Sequence, residues 1–491
     1  MVSQVVTAWA QGRSRWGAWL QAHPEPRYQR PWYFAQFGIL VLPFSPAIGA
    51  TFCLAATILT TVLLRKEKEE PPLLIRGDRG IPQGLGPRQG SEKTREISRI
   101  PPQPLNKGGG AFFSPHPLPW ILGAIALVMV LGIIGAVDQG EAALGLANFL
   151  PYFFVFWVLS RLVVGVNQLR QLAWLVVLGG GPVVGIGIGQ LLGWWAGPVQ
   201  VLGVINWQLA AGGNPVGRLA SVFEYANVTA SYCVVVWTIA LGLAVDVWEN
   251  RDRPRPNPKL AIASLGTTLA LTAAGLLLTD SRNAWALGLL MTLAWAVVIG
   301  WHWLWQGVMG VIAIILGAAF APDAVAAPLR MIVPRFIWAR LNDSLYPNRP
   351  VATLRSTQWD FAWDLSWQRP ALGWGLRNFS PLYEGATQVW MGHPHNLLLM
   401  LAAESGWLAT LSLFGAVGWV LARGFLVVRG LSRGDRPVAL SIWLGFVSLA
   451  LFHIFDVTLF DVRIGLLGWI LLAGVWGLVW RRDPVPKKLT R

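Results

Sequence analysis

The stretch LAWLVVLGGGPVVGIGIGQLL, residues 172–192, carries no charged side chain over 21 consecutive positions. A bilayer core about 30 Å thick takes roughly 20 apolar residues per helix, so this stretch is predicted to cross a membrane. Gly181, Gly185 and Gly189 recur at every fourth position. They share one helix face, which predicts close packing against a neighbouring helix; dinucleotide binding at this glycine run would require a preceding strand.

Working outward, eleven further apolar stretches lie at 33–44, 46–64, 118–137, 144–162, 227–245, 260–278, 284–300, 303–321, 396–421, 438–455 and 464–480. Over 491 residues, 54% hydrophobic and only 13% charged side chains exclude a soluble globular domain. The expected fold class is all-α, a polytopic membrane bundle of about 12 transmembrane helices. The first two stretches, separated by Pro43 and Pro46, read either as two spans or as one kinked, tilted span. The 29 Trp suit membrane–water interfaces. Cys53 and Cys233 both sit in apolar stretches, so no disulfide framework is implied.

The net charge of +15 is first of all an orientation signal. With an even number of spans and both termini cytoplasmic, 29 of the 39 Lys and Arg fall on the inside and 10 on the outside. All ten outside are Arg, as the positive-inside rule and the preference for Arg at anion sites would have it. The expected organisation is a cytoplasmic N-terminus (1–31), two spans (32–64), a cytoplasmic linker (65–117), seven spans (118–321), an outer loop (322–395), three spans (396–480) and a cytoplasmic tail (481–491). Residues 1–31 lack an apolar core of signal-peptide length, so the first span is expected to insert uncleaved. The linker, with EKEEPP, GLGPRQG and NKGGG, reads as disordered. In the outer loop, STQWDFAWDLSWQRP places Trp359, Trp363 and Trp367 four residues apart, beside Asp360 and Asp364. That spacing predicts an amphipathic helix on the membrane surface, within a folded cap.

No GxxxxGK[ST], HExxH or paired-Cys motif is present, so neither ATP hydrolysis nor a metal site is expected from motif. The polar residues that stand out lie at the outer ends of spans. Arg218 occurs in GRLASVFEYAN, Arg282 in TDSRNAW, and His395 with Asn396 in GHPHNLLLMLAAESG. An Arg at such a depth either pairs with a carboxylate, here Glu224 or Asp280, or meets an anion. The planar guanidinium suits a phosphate, and a lipid-linked phosphate is the obvious membrane anion. His395 is a candidate general base or a helix cap, with His393 as its rival. His453 and Asp456 in FHIFDVTLFDVR form a secondary pair, in which a carboxylate could fix an imidazole tautomer. Glu404 is expected to pair with an Arg or to support His395. Within the outer loop Arg355, Arg377 and Tyr383 are candidates to touch sugar or diphosphate.

RLASVFEYAN, SRNAW, RPALGWGLRNFSPLYE and HPHNLLLMLAAESG together resemble the O-antigen ligase and polymerase superfamily, including its branch associated with inorganic-carbon transport. The most specific element is His-Asn followed by nine residues and Gly, met by His395, Asn396 and Gly406. The family's Thr three residues later is Ala409 here, with Thr410 one position on, and the common Gly after Ser-Arg is Asn283. The resemblance implies a GT-C-like integral enzyme on the periplasmic face of a bacterial inner membrane. Such an enzyme moves a glycan from undecaprenyl pyrophosphate to an acceptor hydroxyl in surface polysaccharide or lipopolysaccharide biosynthesis. Arg218 and Arg282 would hold the pyrophosphate, and His395 would assist the acceptor. The implied partners are a lipid-linked oligosaccharide donor, a glycan or lipid acceptor and the membrane, not nucleic acid; no metal or other cofactor is implied. Ligase and polymerase stay open. A bicarbonate-type transporter and a non-enzymatic envelope-assembly partner are the alternatives; the lack of a repeat between the two halves and the polar residues gathered at one face count against the transporter.

Overall fold

The computed structural model describes residues 22–69, 117–201, 203–251, 258–342, 344, 348 and 350–482. The expected linker, apart from residues 65–69 and 117, lies outside the described residues, as do 1–21 and 483–491. In chain order the elements are α1 (Gln29–Val41), α2 (Pro46–Glu69), α3 (Leu118–Gly132), α4 (Gln139–Gly145), α5 (Leu150–Leu162), α6 (Val166–Leu191), β1 (Gly197–Val201) and β2 (Ile205–Leu209). They continue with α7 (Ala226–Glu249), α8 (Pro258–Leu278), α9 (Arg282–Ile299), α10 (His302–Phe320), α11 (Asp323–Ile332), α12 (Arg335–Leu341), α13 (Arg355–Gln368) and α14 (Phe379–Thr387). Three long helices close the chain: α15 (Leu397–Arg429), α16 (Arg436–Phe452) and α17 (Val462–Arg482).

Among the described residues, nine helices are long and apolar enough to cross a membrane, counting Gln139–Leu162 as one. Each of the twelve apolar stretches meets a helix, but α1, α3 and α16 are shorter, at 13, 15 and 17 residues. At 1.5 Å per residue α1 extends roughly 20 Å, less than a bilayer core. It folds back on α2 as a hairpin, and a Cβ on Gly38 would approach Cys53 Sγ to 2.8 Å. The two prolines therefore flank a turn between two helices that pack against each other.

The all-α expectation needs one correction. β1 and β2 pair antiparallel with Val199 opposite Trp207, and the turn between them carries Gly203 at φ +70°. Val, Ile and Trp alternate with Gln and Asn in these strands, the pattern of a half-covered hairpin. Trp207 Nε1 donates to the Phe44 carbonyl at 2.7 Å, tying the hairpin to the α1–α2 turn.

The glycine face of α6 also differs from its expected form. An added Cβ at Gly185 would meet nothing, while Gly179 and Gly187 would bring it to 2.8 Å from Tyr232 Oη and 2.6 Å from Leu219. Close packing is thus directed at α7 and the segment before it, through a neighbouring set of glycines. Of the expected stripe, only Gly189 is tight, against Trp195.

Contacts sort the loops into two ends. At one end Asn250 Nδ2 donates to Gly434 O, Arg170 pairs with Asp246, and His23 lies against Leu162 O. At the other end meet the hairpin, the α8–α9 and α16–α17 connections and the cap. Within the cap α13 forms as expected, yet its buried stripe is Gln358, Ala362, Leu365 and Ser366. Trp363 and Trp367 face outward; Trp363 meets Trp407 of α15 edge-on, and Trp367 lies tilted against the same ring. Small side chains give α13 its close approach to α15, and the indoles form an aromatic belt outside it. The long helix α15 breaks at Gly406 (φ +75°, ψ +164°). Here the cap's main chain enters: Trp407 N–H donates to Pro370 O and Gly375 N–H to Glu404 O, at 2.8 and 2.9 Å.

Candidate functional site

At the cap end the buried carboxylate of Asp456 is the centre of a polar network. Its Oδ1 accepts from Val457 N–H at 2.8 Å and lies 3.0 Å from His395 Nδ1. Oδ2 accepts from Asn227 Nδ2 at 2.5 Å, and Asn227 Oδ1 accepts from Arg218 Nη2 at 2.6 Å. Arg218 Nε donates to Thr279 O at 2.8 Å. The next residue, Asp280, pairs with Arg340 at 2.8 Å, and the Arg340 carbonyl accepts from Arg282 Nη1 at 3.0 Å. His395, Asp456, Arg218 and Arg282, far apart in sequence, thus lie on one chain of polar contacts.

Helix ends set this geometry. Asn227 sits in the first turn of α7, and Arg282 opens α9 behind its N-cap Ser281. Asn396 caps α15, accepting from Leu399 N–H at 3.0 Å while its Nδ2 donates to Ile454 O at 3.1 Å. Together with Leu397 N–H on His453 O, this clamps the two loops that carry His395 and Asp456. His395 has φ +54° and Asp280 φ +51°, a left-handed conformation costing about 1–2 kcal/mol for a residue with a Cβ. The capped helices that follow hold both residues in it.

Burial would push the Asp456 carboxyl up, but the hydrogen bond with His395, the charges of His393 and His395 and the Val457 N–H outweigh it and hold the group below the usual carboxylate range. Asp280 goes the other way. Burial raises it despite Arg340, Arg218 and Arg282, all of which favour its charged form. One guanidinium thus pairs with this carboxylate and two more act on it electrostatically, a cluster suited to an anion's oxygens.

The His393 ring stands edge-on to His395 at 4.5 Å, and its Nδ1 accepts from His395 N–H. Burial pushes the His393 imidazole down to about 4, against the pull of Asp456 and assisted by His395, His453 and Arg355. His393, His395 and Asp456 each offer one ligand atom, all within 4.8 Å of one another. Two imidazoles and a carboxylate could take a divalent cation, a set that the motif search does not reveal.

The remaining candidates divide. Arg355, at the start of α13, acts electrostatically on both Tyr225 and His393, which brings it to the rim of the network. His453 is buried behind it with Nε2 3.1 Å from Thr458 Oγ1. Arg377 lies apart, paired with Glu141 at 3.1 Å. Tyr383 is fully buried in the cap, stacked on Phe379, with its hydroxyl donating to Ala352 O at 2.6 Å. Glu404 neither pairs with an Arg side chain in the network nor supports His395; its Oε1 accepts from Phe379 N–H at 3.2 Å, fastening the cap. Sequence reasoning missed Asn227 and Arg340 as members. The first stands in GRLASVFEYAN, but only its bond to Asp456, 229 positions away, reveals its part.

These features define a polytopic helical membrane protein with a candidate His/Arg site at one end of its bundle. Residues 267–414 match the family model described as O-antigen ligase, so this segment is similar to that family. The matched segment includes Arg282, Arg340, His393 and His395; Arg218 and Asp456 lie outside it. A search of curated proteins returns no match. Among solved structures, a chain from work on the structural coordination of polymerization and crosslinking by a peptidoglycan synthase complex aligns at 16% identity and a TM-score of 0.39. The alignment covers 73% of this chain and 96% of that one, a likeness too distant to bear on the site.

Proposed function

We propose that the chain is a glycosyltransferase of the O-antigen ligase type, moving a glycan from a polyprenyl diphosphate donor, undecaprenyl pyrophosphate, to an acceptor hydroxyl. The cap end then faces the periplasm of a bacterial inner membrane, with both termini in the cytoplasm. The observation that carries this reading is the bond between His395 Nδ1 and Asp456 Oδ1 at 3.0 Å. An ionised carboxylate there keeps the proton on Nδ1 and leaves Nε2 as the acceptor, the arrangement a general base needs. Nε2 takes the proton of the acceptor hydroxyl as its oxygen bonds the anomeric carbon, and the bond to the diphosphate breaks with its electron pair on the leaving oxygen. Arg218 and Arg282, with Arg340 beside them, stabilise that charge. Electrostatic stabilisation of this kind contributes about 10²–10³-fold per group and the base about 10²–10⁴-fold. Because the network shares Asn227 between Asp456 and Arg218, base and anion site are held in register.

The test is transfer by the purified chain from an undecaprenyl-pyrophosphate glycan to candidate acceptors. The wild type gives a lipid-released glycan product, and His395→Ala or Arg282→Ala abolishes it with the protein still folded. Undiminished transfer in both variants would remove the proposed site.

A further inference from the structure

Two imidazoles converge on one oxygen of Asp456. His395 Nδ1 lies 3.0 Å from Oδ1, and His393 Nε2 lies 3.7 Å from the same atom. His393 Nδ1 accepts from His395 N–H at 3.2 Å, so a neutral His393 carries its proton on Nε2, toward Asp456. On the transfer reading His395 holds its own proton on Nδ1. Both ring protons therefore occupy the space between three possible ligand atoms, which lie within 4.8 Å of one another. A cation that takes nitrogen lone pairs can stand where those protons stand. Zn²⁺ sites with one open position use three protein ligands, at about 2.0–2.2 Å for nitrogen and carboxylate oxygen, a geometry that small shifts of these side chains reach.

The surroundings favour an occasional occupant over a permanent one. The His393 and His395 side chains are 20% and 22% exposed, which leaves the fourth position to water. The second oxygen of Asp456 is fixed by Asn227 at 2.5 Å, the outer support that ligating carboxylates need. Against this, Arg218 lies one hydrogen bond further on and Arg355 acts on His393, and both repel a dication. A proton moved to His393 Nδ1 also ends the bond from His395 N–H. Occupancy is then set by the concentration of free cation.

We propose that His393, His395 and Asp456 form an inhibitory site for Zn²⁺ or a similar nitrogen-seeking dication, an inference that rests on the transfer reading above. The cation binds His395 Nδ1, and the proton displaced from that nitrogen is taken up at Nε2. Nε2 is then a donor, with no lone pair left for the acceptor hydroxyl. The Asp456 carboxylate orients the base in the cation's absence and holds the cation in its presence. One carboxylate thus sets both states of the imidazole, and transfer stops while Arg218 and Arg282 keep their places. Mg²⁺ prefers oxygen ligands and keeps its waters, so it is not expected to act here.

The experiment uses the full chain in nanodiscs, free of any histidine tag. Co²⁺, a coloured substitute for Zn²⁺, is expected to bind once per chain with the visible absorption of a four-coordinate ion, and Zn²⁺ to displace it. His393→Gln and His395→Ala should each abolish that absorption. Zn²⁺ at about 0.1 mM should lower transfer about tenfold, as a Kd of about 10 μM gives, and a chelator should restore it. His393→Gln, set against its own cation-free rate, should need at least about tenfold more Zn²⁺ for the same loss. Mg²⁺ at the same concentration should leave the rate alone. Absence of the Co²⁺ absorption, or its persistence in His393→Gln, would overturn the proposal and leave the transfer reading standing. A cation bound as described with undiminished transfer would take down both, since His395 would then not need Nε2 as an acceptor.

Discussion

Helix α7 begins in one buried polar network and ends in another, and the two are built to different purposes. At its last turn Asp246, 1% exposed, receives Arg170 through two hydrogen bonds at 3.1 and 3.2 Å and Asn250 at 2.9 Å. At the same end Arg161 lies between the rings of Trp157 and Trp480, 4.3 and 3.9 Å from their centroids. Among the described residues no non-glycine residue at this end adopts a positive φ. At its first turn Asn227 joins Asp456, Arg218 and His395, and all six described non-glycine residues with positive φ lie at that end. A buried Asp thus serves cohesion where its partner is a bidentate guanidinium, and positioning where its partner is an imidazole with its second nitrogen unspent. Backbone strain separates the two, since it accumulates where geometry is dictated by chemistry.

The contrast can be broken most directly by exchanging the damage. His395→Ala and Arg282→Ala should each lower transfer by about 10²–10³-fold or more with thermal unfolding in detergent unchanged, while Asp246→Ala should destabilise by about 1.5–3 kcal/mol by removing the charge-assisted bonds from Arg170, which keeps Asn167 and Asp435 beside it. Loss of stability at both ends alike would end the distinction. A smaller effect is expected at Gly406, whose φ of +75° and whose separation of 2.5 Å from an added Cβ to Ala371 O disfavour any side chain. Gly406→Ala should destabilise by about 1–3 kcal/mol, read as a lowered melting temperature, with Gly415→Ala nearly silent.

Acid sharpens the comparison further. The folded state holds the His393 imidazole down at about 4, against 6.5 for the free group, so the unfolded chain binds more protons between those values and stability falls as pH drops from 6.5 toward 4. His393→Gln should lessen that slope, measured as melting temperature against pH; an unchanged slope would place the titration elsewhere. The smallest expected effect is none. Transfer should survive a strong chelator, and a loss reversed by added Zn²⁺ would instead make a cation at His393, His395 and Asp456 a requirement of the reaction.

Much of this was legible in the sequence, because a membrane span is a property of composition over about 20 residues. All twelve apolar stretches therefore meet a helix, and the cap helix 355–368 follows from its four-residue spacing. The arginines and His395 stand out as candidates in the sequence because charge at the end of an apolar stretch is costly unless used. What could not be read is closure between distant segments. Nothing in GRLASVFEYAN says that Asn227 will meet Asp456, and nothing in FIWARLND says that Arg340 will share Asp280 with Arg282. Tyr383 lies in the cap's own packing and Arg377 on Glu141, placements that an outer-loop position does not disclose. The β-hairpin escaped because five-residue strands carry a weak signal beside long apolar helices.

The break at Gly406 has a bearing on how the molecule can change. The cap is joined to α15 through main-chain groups, Trp407 N–H on Pro370 O and Gly375 N–H on Glu404 O, and every sequence but a proline supplies those donors. Beyond the small residues that let the two backbones meet, the seam asks little of side-chain identity. The cap's outer surface can then be rewritten, loop by loop, while His395 stays in place, so a lineage could alter which molecules it accepts without rebuilding the machinery beneath.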